Sequence, residues 1–150
     1  MEAEVYPNER VVNFISSNFI PAKIHIKEQP QTFKRFGAQW TPTILVITPN
    51  GEEAHRIEGF LGVDDMLAQL ELGLGKSLFK MEKFEDAEKH FRSVVQQYPT
   101  SEAAPQALYW AGVAAYKATN DPGKLKDTAQ AVQKKYPQSE WAKKASVWAG

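Results

Sequence analysis

The chain repeats itself near its C-terminus. Tyr98-Pro99-Thr100-Ser101-Glu102-Ala103-Ala104 returns 38 positions later as Tyr136-Pro137-Gln138-Ser139-Glu140-Trp141-Ala142, and Trp110-Ala111-Gly112 returns as Trp148-Ala149-Gly150. Self-similarity at a period of about 20–50 residues marks supersecondary units that cannot bury an apolar face alone and must stack on one another. Such stacks present extended surfaces, so the repeat points towards protein binding before any site is considered.

From Val63 onward every signal is helical. Met66, Leu67, Leu70, Leu74 and Leu78 recur at i, i+3/i+4 spacing, which predicts one helix over Val63–Lys80 with Asp64 or Asp65 at its start. A break at Met81-Glu82-Lys83 leads to a second predicted helix, Phe84–Gln97, stopped by Pro99. A third spans Glu102–Ala118, a turn occupies Asn120-Asp121-Pro122-Gly123, and a fourth runs Lys124–Lys135. Ser139 is expected to cap a fifth that runs to the end.

The front of the chain mixes helix and strand signals. Asn8–Ser17 is a short helix with Val11, Val12, Phe14 and Ile15 on its apolar side. Ala22–Ile26 alternates apolar and polar and is expected to be a half-buried strand. Pro30–Phe36 is a two-turn helix closed by Gly37, and Thr43–Ile47, apolar after its first residue, predicts a buried strand. Pro49-Asn50-Gly51 is a hairpin turn returning into Glu53–Phe60, with Glu53, His55 and Arg56 as its exposed charges. Without a Gly/Ser/Pro-rich linker, the Val63–Lys80 helix serves both parts as a stiff joint.

Composition excludes several kinds of chemistry. The 150 residues hold no cysteine, so the chain as given has no disulfide, Cys-ligated zinc or thiol nucleophile. Eighteen basic and eighteen acidic residues cancel and give no general attraction to nucleic acid. The balance is uneven, with net charge −4 over residues 1–72 and +4 over 73–150, which suits head-to-tail attraction between unlike halves or simple scatter over solvated faces. His25, His55 and His90 lack ligand spacing, Glu52-Glu53 and Asp64-Asp65 sit at a turn and a helix start, and no glycine loop would cradle phosphate. No metal or cofactor is expected. There is no run of 18 apolar residues and no secretory n-region, so the default compartment is the cytoplasm, or the periplasm if the natural N-terminus lies further upstream.

In the helical half, Leu74-Gly75, Ala87, Phe91 and Pro99, then Ala111-Gly112, Ala129 and Pro137, stand where two hairpins need small residues at helix crossings and proline after them. This half resembles the tetratricopeptide repeat family. The Tyr-Pro-x-Ser-Glu variant with Tyr-Trp-Ala-Gly is similar to repeats of bacterial cell-envelope coordinators and outer-membrane assembly lipoproteins. The resemblance implies helical hairpins that bind proteins. Tyr109, Tyr116 and Lys117 are its candidate surface residues, while core packing between hairpins is the competing role for Tyr109, Trp110 and Trp148.

Arg35-Phe36-Gly37, Trp40-Thr41-Pro42-Thr43, Ile44–Ile47, Asn50-Gly51 and Arg56-Ile57-Glu58-Gly59-Phe60 resemble the thioredoxin-like family. The resemblance implies a cis proline at Pro42 and a peptide groove at Trp40, Thr41 and Pro42; a purely structural turn there is the alternative. It departs from the family in lacking the first core strand and the Cys-x-x-Cys that follows it. Met1–Tyr6 then reads as the remainder of the helix carrying that dithiol, and the remaining strands have an unfilled slot or an unpaired edge, which invites pairing with another chain.

The expected architecture is α+β. An incomplete thioredoxin-like α/β layer over 1–72 precedes an all-α array of tetratricopeptide helical hairpins with a capping helix over 73–150. The expected function is a protein-interaction or scaffolding module that binds a protein or peptide and forms a homo-oligomer, with a dimer foremost and no nucleic acid or membrane span. The alternative is a fragment of a thiol-disulfide oxidoreductase whose Cys-x-x-Cys lies upstream of residue 1.

Overall fold

Asn8 opens the first helix, α1 (Glu9–Asn18), where its side-chain oxygen accepts from the Arg10 amide at 3.0 Å. The computed structural model describes residues 3–150. Of the expected Met1–Tyr6 helix tail, residues 3–6 lie in a turn over residues 3–7, and Met1 and Glu2 fall outside the described residues. After α1 come α2 (Pro30–Arg35), β1 (Thr43–Ile47), β2 (Glu53–Glu58) and α3 (Val63–Lys80). The array follows as α4 (Phe84–Gln97), α5 (Ala103–Thr119), α6 (Gly123–Lys135) and α7 (Glu140–Ala145), with a 3₁₀ turn at Ser146–Trp148. The last helix is therefore shorter than its pattern implies.

β1 and β2 form an antiparallel hairpin, with Ile44 opposite Ile57 and Val46 opposite His55. Gly51 takes φ +89° in the connecting turn, which is why Asn-Gly stands there. The expected strand at Ala22–Ile26 does not form, and Ile24 and Ile26 are exposed. An extended segment becomes a strand when a neighbour takes its amides and carbonyls, and neither β1 nor β2 pairs with this one. β1 is also less covered than a fully buried strand, since Val46 is buried while Ile47 is exposed. On α1, Val11 is buried and Val12 faces out, because the helix meets the core along one narrow stripe.

α3 feeds two cores. Met66, Leu67 and Leu70 pack with Val5, Val11 and Ile57, while Ala68 and Leu72 join Ala87, Phe91, Val94 and, from α5, Ala103, Ala107, Ala111 and Ala114. The glycine before Val63, not Asp64 or Asp65, occupies the N-cap; Asp64 instead pairs with Arg10 of α1 at 2.9 Å. Gly73 lets the sheet approach α3, since a Cβ there would stand 2.7 Å from Val46 Cγ2.

The sequence repeat is repeated in geometry. Tyr98 and Tyr136 end α4 and α6 with φ/ψ of −131/56° and −134/58°. Ser101 Oγ donates to Tyr98 O, and Ser139 Oγ to Tyr136 O, each at 2.8 Å. The Tyr136 hydroxyl also donates to Pro99 O at 2.8 Å, so the second unit is fastened to the first by the repeated residues themselves. No described helix is long and apolar enough to cross a membrane.

Candidate functional site

Trp40, Thr41 and Pro42 lie at one end of the hairpin. α2 stops at Gly37, whose φ of +61° turns the chain towards β1. Arg56 of β2 holds this stop in place, its guanidinium donating to Phe36 O and, at 2.6 Å, to Glu53 Oε1. The following loop is pinned where Thr43 Oγ1 donates to Trp40 O at 2.6 Å, and the Thr41–Pro42 peptide bond is cis. Gly59 donates its amide to Pro42 O at 3.0 Å, carrying the chain at Phe60 to the same end of the sheet. Trp40 is 65% exposed and Phe60 77%. Two large, exposed apolar residues and an exposed threonine thus share one end of the hairpin, on backbone that hydrogen bonds fix. In the sequence Phe60 ends the returning strand and the thioredoxin-like motif and is no groove candidate; its place beside Pro42 depends on the Gly59–Pro42 bond, which joins residues 17 apart.

Of the candidates on the array, Tyr109 stacks on Trp148 at 4.7 Å between ring centroids and also meets Trp141 at 5.0 Å. Trp110 meets Phe79 edge-on at 5.3 Å. These rings form a continuous aromatic seam that closes the array, as the packing role anticipates. Tyr116 is half-buried on α5, and the adjacent Lys117 is exposed, lining a shallow groove of about 450 Å³ with Glu82, Glu85 and Asp86. Trp40, Thr41 and Pro42 do not line this groove.

A third place escaped the sequence reading. His55, expected to be exposed, is half-buried between β2 and α3. Its Nε2 lies 2.7 Å from Gln69 Oε1 and its Nδ1 3.3 Å from Lys76 Nζ. The carbonyl oxygen can only accept, so the ring's proton sits on Nε2 and Nδ1 accepts from the lysine. Burial, then the neighbouring ammonium, pushes His55 from its usual 6.5 down to about 4, and burial lowers Lys76 as well. Beside them a cavity of about 160 Å³ is lined by Ala54, Lys76, Phe79, Lys80, Phe91 and Trp110. Lys80 reaches Glu52 at 3.6 Å. The three-residue set is invisible in the sequence because its members lie 14 and 21 positions apart, on two elements.

Chemically, the hairpin end offers two exposed aromatic rings and the Thr41 hydroxyl, and no thiol. His90 and Glu71, 2.7 Å apart, tie α4 to α3. No group of three His, Cys, Asp or Glu side chains among the described residues could hold a metal ion.

The thioredoxin-like domain family matches residues 1–74, and the tetratricopeptide repeat family matches residues 69–101 and 106–139. The two matches overlap inside α3, the helix that contributes to both cores. No curated protein and no solved structure matches the chain.

Proposed function

We propose, from the premise that this chain is a thioredoxin-like domain followed by tetratricopeptide repeats, that it is a protein-interaction module gripping an extended segment of a partner protein at Trp40, Thr41, Pro42 and Phe60. The observation that carries this reading is the pair of exposed aromatic side chains held on hydrogen-bonded backbone beside Pro42. Aromatic side chains bury about 150–250 Å² each, and at about 25 cal/mol per Å² two of them supply several kcal/mol of association. Rigid aromatic anchors are also the usual hot spots of interfaces. Tyr116 and Lys117 serve as a separate contact for the partner on the array. Thiol-disulfide exchange needs a thiolate, and the chain has no cysteine, so binding rather than redox turnover is the activity of this chain. Selection of displayed random peptides on the full chain tests the reading. Selected peptides should be apolar and extended, and Trp40→Ala should weaken them at least about tenfold, the loss of one aromatic anchor. Undiminished affinity in Trp40→Ala would refute it.

A second reading, self-association, is favoured by a different observation. β1 has β2 on one side and no strand of the described residues on the other. Strand addition between copies would cover that edge, giving at least a dimer. A monomeric mass by light scattering across a concentration series would count against this.

A further inference from the structure

We propose that Lys76 is a site of covalent acylation by small acyl phosphates, its Nζ attacking from the wall of the junction cavity with His55 Nδ1 as proton acceptor. Three features of the place converge on this. Lys76 lines a cavity of about 160 Å³ whose other walls include Ala54, Phe79, Phe91 and Trp110, which is room for a small acyl group against apolar surface. Its Nζ lies 3.3 Å from His55 Nδ1, and no carboxylate of the described residues forms an ion pair with it. His55 is itself fixed by Gln69 at 2.7 Å, so its acceptor nitrogen faces the lysine.

The charged groups around this amine are few. β2 presents His55, and Glu53 acts on His55 from the same strand. The preceding turn presents Glu52, which engages Lys80 one helical turn along α3. α4 and α5 present the Phe91 and Trp110 rings. An ammonium there is poorly compensated, and burial shifts Lys76 towards its neutral form. Exposed lysines, with a pKa of about 10.4, are almost wholly protonated at neutral pH and cannot attack. Lys89, 79% exposed and 3.9 Å from Asp86, lies outside this cavity and serves as the comparison.

In the step, the Nζ lone pair attacks the carbonyl carbon of the acyl phosphate. A C–N bond forms, and the C–O bond to phosphate breaks with its electron pair leaving on phosphate. The proton lost by Nζ passes to His55 Nδ1 and on to water, since the depressed imidazole does not retain it. The product is a neutral amide whose acyl group occupies the cavity. Acylation also ends the lysine's service as an ammonium donor to His55, so the modification acts on the contact between sheet and array.

The experiment is timed exposure of the folded full chain to acetyl phosphate, with mass mapping of each lysine. At pH 7.5 Lys76 should be acetylated at least about fivefold faster than Lys89, and the excess should shrink as pH rises towards the ordinary lysine range. It should vanish in chain unfolded in guanidinium. His55→Gln keeps an acceptor but cannot take a proton, and should slow Lys76 severalfold at unchanged thermal midpoint. If that variant fails to fold, the pH profile of the unaltered protein decides. Lys76 reacting no faster than Lys89 in the folded chain, or a ratio unaffected by unfolding, would overturn the proposal.

Discussion

Gly75 of α3 lies so close to Phe91 of α4 that a Cβ on the glycine would stand 2.7 Å from the ring's Cε1. The second hairpin repeats the device, with a Cβ at Gly112 falling 2.5 Å from Thr128 Cβ. Both glycines are buried within helices, where glycine ordinarily costs about 1 kcal/mol against alanine. Close crossing of the two helices in each hairpin outweighs that cost.

Gly75→Ala should therefore destabilise the protein by about 1–3 kcal/mol despite better helix propensity, because Phe91 is fully buried and cannot swing away. Phe91→Leu should relieve part of the clash, giving a favourable coupling of about 1 kcal/mol in a double-mutant cycle. For Gly112→Ala, Thr128→Ala should rescue only in part, since it removes Oγ1 and Cγ2 but leaves the Cβ at 2.5 Å, whereas Thr128→Gly should rescue more. Denaturant midpoints measure all of these, and an additive Gly75/Phe91 cycle would contradict the packing described.

Leu70 and Leu72 sit two positions apart on α3 and belong to different cores. Leu70→Ala should cost about 2–5 kcal/mol and lower the unfolding of both parts together, since one helix carries both. Thermal melts followed by far- and near-ultraviolet circular dichroism should show one transition. Two transitions, with only one shifted, would be the contrary result.

His55 makes stability depend on pH with a definite sign. The unfolded ring takes a proton near 6.5 and the folded one at about 4. Between these values the unfolded state binds more protons, so stability is full above the upper value and falls as pH drops through the window, by at most about 3 kcal/mol. His55→Gln, which can still accept from Lys76, should flatten this part of the profile. Chemical denaturation at several pH values between 4 and 7 reads it directly.

With no cysteine, the chain should leave the rate of insulin reduction by dithiothreitol at its uncatalysed value. A turbidity assay with and without the chain tests this, and measurable acceleration would contradict it.

The array was legible because helix periodicity and punctuation are local. α3 and α4 have their expected ends, Asn120 turns the chain at φ +56°, and the Tyr-Pro-x-Ser pattern maps onto equivalent caps. The front was harder, because a strand is completed by its neighbour. Ala22–Ile26 carries strand alternation yet joins neither β1 nor β2, and nothing within those five residues could reveal it. His55 reads as a surface charge on an alternating strand until Lys76 and Gln69 are brought over it by α3. Trp40, Thr41 and Pro42 were visible as a motif, whereas Phe60 joined them through a hydrogen bond of Gly59.

Chemical-shift mapping with a peptide selected on the full chain is the most direct measurement of how this protein binds. Titration into ¹⁵N-labelled chain should move the Trp40 indole and the amides of Thr41, Gly59 and Phe60 first and furthest, with those three amides silent in Trp40→Ala. Shifts confined to the array, with Trp40 and Phe60 unmoved, would contradict a binding site at the hairpin end.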